Sequence, residues 1–90
     1  MKTVHIKVHG RVHGVYFRQS TQEQAEALQI SGWVRNMPDG TVEMMVTGDD
    51  KSIDQLTRWC HQGPRKAVVN KVEVTDAPLN KFTSFEIQRF

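Results

Sequence analysis

The residues with the clearest chemical potential lie between Gly10 and Arg18, where a strand-like pattern gives way to a helix-like one. Glycines at positions 10 and 14 allow φ values that a Cβ atom disfavours, so successive backbone N–H groups can point into one hollow. The helix that follows adds the positive end of its dipole. Arg18, in the first helical turn, can place a planar guanidinium against a tetrahedral anion. This run therefore predicts an anion site built from backbone amides and one arginine.

Glycine spacing alone is weak support for an anion site, because an ordinary turn followed by a solvated arginine would show the same pattern. The sequence lacks Gly-x-Gly-x-x-Gly, and no Gly-Lys-Ser or Gly-Lys-Thr follows, so the dinucleotide and nucleoside triphosphate loops are both excluded. Cys60 has no activating base that the sequence can assign, and it is expected to be a core residue. No metal site is expected, since no cysteine or carboxylate clusters in sequence with the histidines His5, His9, His13 and His61.

A loop of this kind needs a strand before it and a helix after it, and the sequence predicts both. Residues 3–9 alternate between polar and apolar, which places Val4, Ile6 and Val8 on one strand face. Residues 17–29 show apolar positions at helical spacing. The later predicted elements are a strand at 32–37, a turn at 38–40, a strand at 42–46, a helix from 49 to 62, a strand at 67–74 and an edge strand at 85–90.

The predicted order is β-α-β-β-α-β followed by a short C-terminal strand, which is typical of the ferredoxin-like split βαβ sandwich. We expect an α+β fold in which two helices cover one face of an antiparallel sheet. A chain of 90 residues has room for one core, so a single domain over residues 1–90 is expected. RNA recognition motifs share this order but carry stacking aromatics on strands one and three. Neither strand has them here, so nucleic acid is not expected as a partner.

Composition favours a globular protein that acts on small molecules. Apolar residues make up 38% and charged residues 24%, and the formal net charge of +2 is too small to indicate nucleic-acid binding by itself. No apolar run is long enough to span a bilayer, and no secretory leader is visible. A single cysteine cannot form an intrachain disulfide. We therefore expect a cytoplasmic monomer without membrane association.

Two stretches of the chain closely resemble the motifs of acylphosphatases. Residues 10–18 read Gly-Arg-Val-His-Gly-Val-Tyr-Phe-Arg, and the family's first motif is usually Gly-Arg-Val-Gln-Gly-Val-x-Phe-Arg. Residues 32–36, followed by Asp-Gly-Thr-Val-Glu at 39–43, resemble the second motif, and the resemblance covers essentially the whole chain in order. His13 departs from the usual glutamine. Gln29 replaces a common glycine, and a positive φ there would cost on the order of 1 kcal/mol.

By this resemblance, the chain is expected to hydrolyse acyl phosphates to a carboxylate and inorganic phosphate, with no metal and no cofactor. Its partner is then a small-molecule acyl phosphate, and inorganic phosphate is expected as both product and inhibitor. The implied catalytic residues are Arg18 and Asn36, with Asn36 orienting the attacking water. The implied phosphate-binding residues are His13, Gly14, Val15, Tyr16, Phe17 and Arg18. At His13, the backbone N–H rather than the side chain is expected to face the phosphate.

Two side chains beside Asn36 are expected to be structural. Trp33 is expected to pack on the second strand. Arg35 precedes Asn36 by one residue, so on a regular strand it faces away from Asn36 and should remain solvated.

Alternative functions stay open on the sequence alone. The chain could be a non-catalytic anion-binding or regulatory domain of the same fold. Similar domains also begin large hydrogenase-maturation proteins, although a length of 90 residues argues against that interpretation. A copper carrier of this fold is excluded, because it would need a Cys-x-x-Cys loop.

Overall fold

The computed structural model describes residues 1–89, in which five strands and two helices follow one another in the predicted order. Their bounds are β1 Lys2–Arg11, α1 Phe17–Ala27, β2 Ser31–Asn36, β3 Val42–Gly48, α2 Asp50–Gln62, β4 Val68–Ala77 and β5 Phe85–Gln88. The predicted last strand also included Phe90, which lies outside the described residues. Neither α1 nor α2 is long and apolar enough to cross a membrane.

The strands form one sheet in the order β4-β1-β3-β2-β5, which confirms the ferredoxin-like arrangement. Strand β1 pairs antiparallel with β3 and β4, and β2 pairs antiparallel with β3. The short strand β5 instead pairs parallel with β2, so the complete sheet is mixed rather than wholly antiparallel. The reason is the route of the chain: residues 78–84 cross from the β4 edge to the opposite edge, and β5 then runs back in the direction of β2.

The core lies between the sheet and the two helices. Helix α1 packs against β2 and β5, and α2 packs against β4, β1 and β3. The rings of Phe17 and Trp59 join the helices, with centroids 5.4 Å apart. Cys60 is buried in this core as expected, and burial raises the pKa of its thiol to about 12. The apolar positions predicted for β1 and β3 are all buried: Val4, Ile6, Val8, Val42, Met44 and Val46.

The two helices begin in different ways. Helix α2 has a conventional start, because the Asp49 carboxylate accepts a hydrogen bond of 2.8 Å from the Ser52 N–H. The N-cap residue of helix α1 is Tyr16, which has a left-handed φ of 62° and makes no side-chain cap hydrogen bond. At the other end of α1, Gln29, which stands where a glycine is common, has a left-handed φ of 57°. Helix α1 therefore presents an uncapped N-terminus directly after the glycine loop.

Candidate active site

One cavity of about 320 Å³ lies between the glycine loop, the start of α1 and the end of β2. This volume is at the small end of the range for sites that bind small molecules. Arg18 and Asn36, the two residues with implied catalytic roles, both line it. The complete lining is Val12, Gly14, Tyr16, Phe17, Arg18, Gln19, Asn36 and Arg89.

The backbone of the loop has the unusual conformations that an anion cradle needs. Gly10 has a φ of 132°, and a Cβ atom there would lie 2.0 Å from the Val68 carbonyl oxygen, so only glycine allows β1 and β4 to approach at this point. Gly14 and Tyr16 follow with φ values of 71° and 62°. Alternation of left-handed and other residues turns successive N–H groups toward one side of the chain. For Tyr16 this conformation costs about 1 kcal/mol, because it carries a Cβ atom.

The uncapped start of α1 supplies further donors. The first helical hydrogen bond runs from the Ser20 N–H to the Tyr16 carbonyl oxygen, at 3.0 Å. The N–H groups of residues 17–19 precede that bond and have no acceptor within the helix. They lie at the positive end of the helix dipole, which favours a bound anion.

The Arg18 side chain is available to a ligand. It is half-buried in the cavity wall, and no hydrogen-bond or ion-pair partner for it is found among residues 1–89. A guanidinium without a protein partner can bind two oxygens of a tetrahedral anion at once.

Asn36 closes the cavity from the sheet side. It is the last residue of β2 and shares the helix-facing side of that strand with Val34. Its Oδ1 atom is buried and has no hydrogen-bond partner in the part of the chain that the structure describes. A buried acceptor without a partner is uncommon in folded proteins and calls for a ligand or a water molecule. Asn36 therefore lines the same cavity as Arg18 and carries an acceptor that no described residue uses.

Two of the predicted phosphate-binding residues do not line this cavity. Val15 is buried, and the His13 side chain turns toward the β2–β3 hairpin, where its Nε2 lies 2.8 Å from the Thr41 carbonyl oxygen. Both residues border a second, more open hollow together with Arg11 and Lys66. The predicted contact of their backbone with phosphate stays a prediction.

Three lining residues were not predicted from the sequence: Val12, Gln19 and Arg89. Arg89 follows β5, and the parallel register that pairs Gln88 with Arg35 brings it beside Asn36. The pattern at 85–90 indicated a strand but carried no information on which edge of the sheet it joins.

The other face of the sheet carries charged groups, and the expectation of a solvated Arg35 was wrong. Arg35 does face away from Asn36, but its Nε donates a hydrogen bond of 2.7 Å to Glu43 Oε1, and its guanidinium lies 4.6 Å from the Trp33 ring centroid. His5 Nε2 lies 2.8 Å from the other Glu43 oxygen. Burial raises the pKa of Glu43, but the hydrogen bonds from His5 and Arg35 outweigh it, so the pKa lies below its ordinary value. Among residues 1–89, no cluster of three or more potential metal ligands is found.

The chain matches known proteins along almost its whole length. The family model named Acylphosphatase matches residues 4–87. A curated acylphosphatase of Rubrobacter xylanophilus is 54% identical over 79 residues, which are 88% of this chain and 72% of that protein. The acylphosphatase of Methylococcus capsulatus is 46% identical over 90 residues, covering 99% and 98%. The solved acylphosphatase structure from Coxiella burnetii matches with a TM-score of 0.94 and 37% identity, covering 97% of this chain and 92% of that one.

Proposed function

The chain belongs to the acylphosphatase family, and we propose that it hydrolyses the carboxyl–phosphate bond of acyl phosphates in the cavity between Arg18 and Asn36. The products are a carboxylate and inorganic phosphate. Every group that the reaction needs comes from one chain, so the proposed enzyme works as a monomer and without a metal or cofactor. The free thiol of Cys60 fits a reducing compartment such as the cytoplasm.

The phosphoryl group is held by the loop and the first turn of α1. The left-handed residues Gly14 and Tyr16 direct backbone N–H groups toward one side, and the unpaired N–H groups of residues 17–19 add the helix terminus. Arg18 supplies a full positive charge beside these N–H groups and neutralises the charge that builds up on the equatorial oxygens. Phosphoryl transfer depends mostly on positioning and charge stabilisation, and the arginine finger of GTPases contributes about 10³–10⁵ in rate in this way.

The attacking water is held by Asn36. Asn36 lines the cavity, and its Oδ1 atom, which has no partner among residues 1–89, accepts one hydrogen from the water when the carboxamide turns toward it. A lone pair of the water oxygen is then free to face the phosphorus. A carboxamide cannot remove a proton near neutral pH, so Asn36 orients the water and does not act as a general base. A phosphate oxygen of the substrate takes the proton as the new P–O bond forms.

The leaving group needs little help from the protein. Cleavage of an acyl phosphate releases a carboxylate, which is a stable anion near pH 7 because its conjugate acid has a pKa of about 4. No general acid is therefore required. This fits a cavity whose charged lining residues, Arg18 and Arg89, are both cations.

The observation that carries the proposal is the unpartnered Asn36 Oδ1 in the same cavity wall as Arg18. A passive anion site uses donors, and it gives an unpartnered acceptor in its wall no role. An acceptor is useful when a water molecule has to be held next to the phosphate. The alternative of a non-catalytic anion-binding domain accounts for Arg18 but leaves the unpartnered Oδ1 atom of Asn36 without a role.

The test is hydrolysis of benzoyl phosphate in excess EDTA, with inorganic phosphate as a competitive inhibitor. Arg18→Ala is expected to lower kcat and weaken phosphate inhibition together, whereas Asn36→Ala is expected to lower kcat with little change in the inhibition constant. Binding of phosphate without turnover by the unmodified protein would support the passive anion-binding domain. Full turnover by Asn36→Ala would contradict the role given to that residue.

A further inference from the structure

The His13 side chain joins two elements of the candidate site that are far apart in sequence. Its Nε2 atom lies 2.8 Å from the Thr41 carbonyl oxygen, across 28 residues. A carbonyl oxygen can only accept, so Nε2 carries the proton and donates it. The contact runs from the glycine loop to the hairpin that connects β2 with β3.

The Thr41 carbonyl is directly connected to the position of Asn36. The same oxygen accepts a hydrogen bond of 2.8 Å from the Met37 N–H, the residue after Asn36. The next pair in the ladder joins Asn36 to Val42. A displacement of the Thr41 peptide therefore moves the end of β2 on which the Asn36 side chain is carried.

The far side of the hairpin is fixed by different contacts. Asp39 Oδ1 accepts hydrogen bonds from the Thr41 N–H at 3.0 Å and from the Thr41 hydroxyl at 2.6 Å. Lys7 Nζ lies 3.2 Å from the other Asp39 oxygen. The hydrogen bond from the Thr41 hydroxyl, with that from its N–H and the contact with Lys7, holds the pKa of Asp39 well below its usual range. These contacts restrain the hairpin turn, and the His13 side chain links that turn to the loop.

We propose that His13 is a positioning residue whose Nε2–H bond to Thr41 sets the distance between the phosphate cradle and Asn36. The proposal rests on the function proposed above. Displacement of a reacting group by about 1 Å can cost about 10²-fold in rate, so one bond between loop and hairpin has a measurable kinetic effect. The His13 side chain does so without touching the phosphoryl group or the water.

The experiment compares His13→Ala and His13→Gln with the unmodified enzyme, using benzoyl phosphate for turnover and inorganic phosphate for binding. His13→Ala is expected to lower kcat by about 10- to 100-fold and to change the phosphate inhibition constant less than about 3-fold. His13→Gln keeps an N–H donor of similar reach and is expected to recover most of kcat. His9→Ala is the matched control, because His9 Nε2 lies 2.7 Å from Glu73 Oε2 on the sheet face that points away from the helices. The kcat of this variant should be unchanged.

A double-mutant cycle separates positioning from general loosening of the fold. In an Asn36→Ala background, the positioned group is already absent, so His13→Ala should lower kcat by less than about 3-fold further. Three results would overturn the proposal: unchanged kcat in His13→Ala, a parallel loss of phosphate binding and kcat, or full additivity in the cycle. Full turnover by Asn36→Ala alone would instead contradict the proposed function, whatever the His13 variants show.

Discussion

Replacing Asn36 with leucine should make the protein more stable and less active at once. Asn36 lies on the apolar, helix-facing side of β2, and its Oδ1 is buried without a partner among the described residues. Leucine branches at the same carbon and has a similar shape, so it can occupy the site next to Val34 without an unpaired polar atom. If the reaction requires this acceptor, its presence lowers the free energy of unfolding of the unmodified protein.

The size of the gain follows from the burial of one acceptor. An unpaired buried hydrogen-bonding group costs about 1–3 kcal/mol. We take the lower end, about 1 kcal/mol, which for a domain of this size corresponds to a rise in Tm of about 4–8 °C. The loss of activity should be much larger, about 10²–10³ in kcat, the effect of removing one preorganised polar group from an active site.

Thermal unfolding and benzoyl phosphate turnover, measured on one preparation, test both parts of this reasoning. Asn36→Ala is the matched control, because it removes the acceptor without adding apolar contact and should lose kcat without the rise in Tm. A Tm of Asn36→Leu below that of the unmodified protein would refute the energetic argument. Turnover within a few-fold of the unmodified enzyme would refute the functional one.

Other substitutions and conditions test separate parts of the structure. Gly10→Ala should destabilise the protein by about 3 kcal/mol or more in urea unfolding. The φ at position 10 is disfavoured for alanine, and the added Cβ atom would clash with the Val68 carbonyl oxygen. Cys60 is fully buried and its thiol pKa is raised to about 12, so iodoacetamide at pH 8 should label it only after unfolding. The pKa of Glu43 is held below its ordinary value of 4.5. The stability that ionised Glu43 contributes is therefore complete above pH 4.5 and is lost as the pH falls through the folded-state pKa. Glu43→Gln should flatten the pH dependence of Tm below pH 4.5. Arg89→Gln should raise KM several-fold with little change in kcat, because Arg89 lines the cavity as a second cation for an anionic substrate.

The sequence predicted the fold well because local pattern and global arrangement agree. The alternation in β1 and β3 placed the buried residues correctly, and Gly10 and Gly14 marked the loop where φ is positive. Spacing alone did not assign roles to Arg18 and Asn36; those came from the resemblance to a family. The structure adds that the two side chains, contributed by a helix and by a strand, line one cavity.

What the sequence missed depends on pairing between distant segments. Arg89 reaches the cavity only because β5 joins the sheet beside β2 in a parallel register, and a four-residue strand has too few positions to reveal that. The alternation of side chains along β2 predicted the correct face for Arg35. Its pairing with Glu43 depends on the register between β2 and β3, which the pattern of one strand does not reveal. Tyr16 adopts a left-handed φ because of the loop around it, and tyrosine is not a residue type that would predict this conformation.

The charged face of the sheet also bears on the site, although it lies on the opposite side. Side chains alternate along β2, so a slip of one residue in its pairing would turn Asn36 outward and bring Arg35 to the cavity. The observed register pairs Arg35 with Glu43, and the Glu43 side chain, only 12% exposed, also contacts His5. One carboxylate on β3 therefore contacts side chains on both neighbouring strands, β1 and β2. A slipped register would leave that carboxylate largely buried without its partners, which costs several kcal/mol. The ion pair behind the sheet thus acts together with the burial of Val34 to favour the register in which Asn36 faces the phosphate loop, and it does so without contacting the substrate.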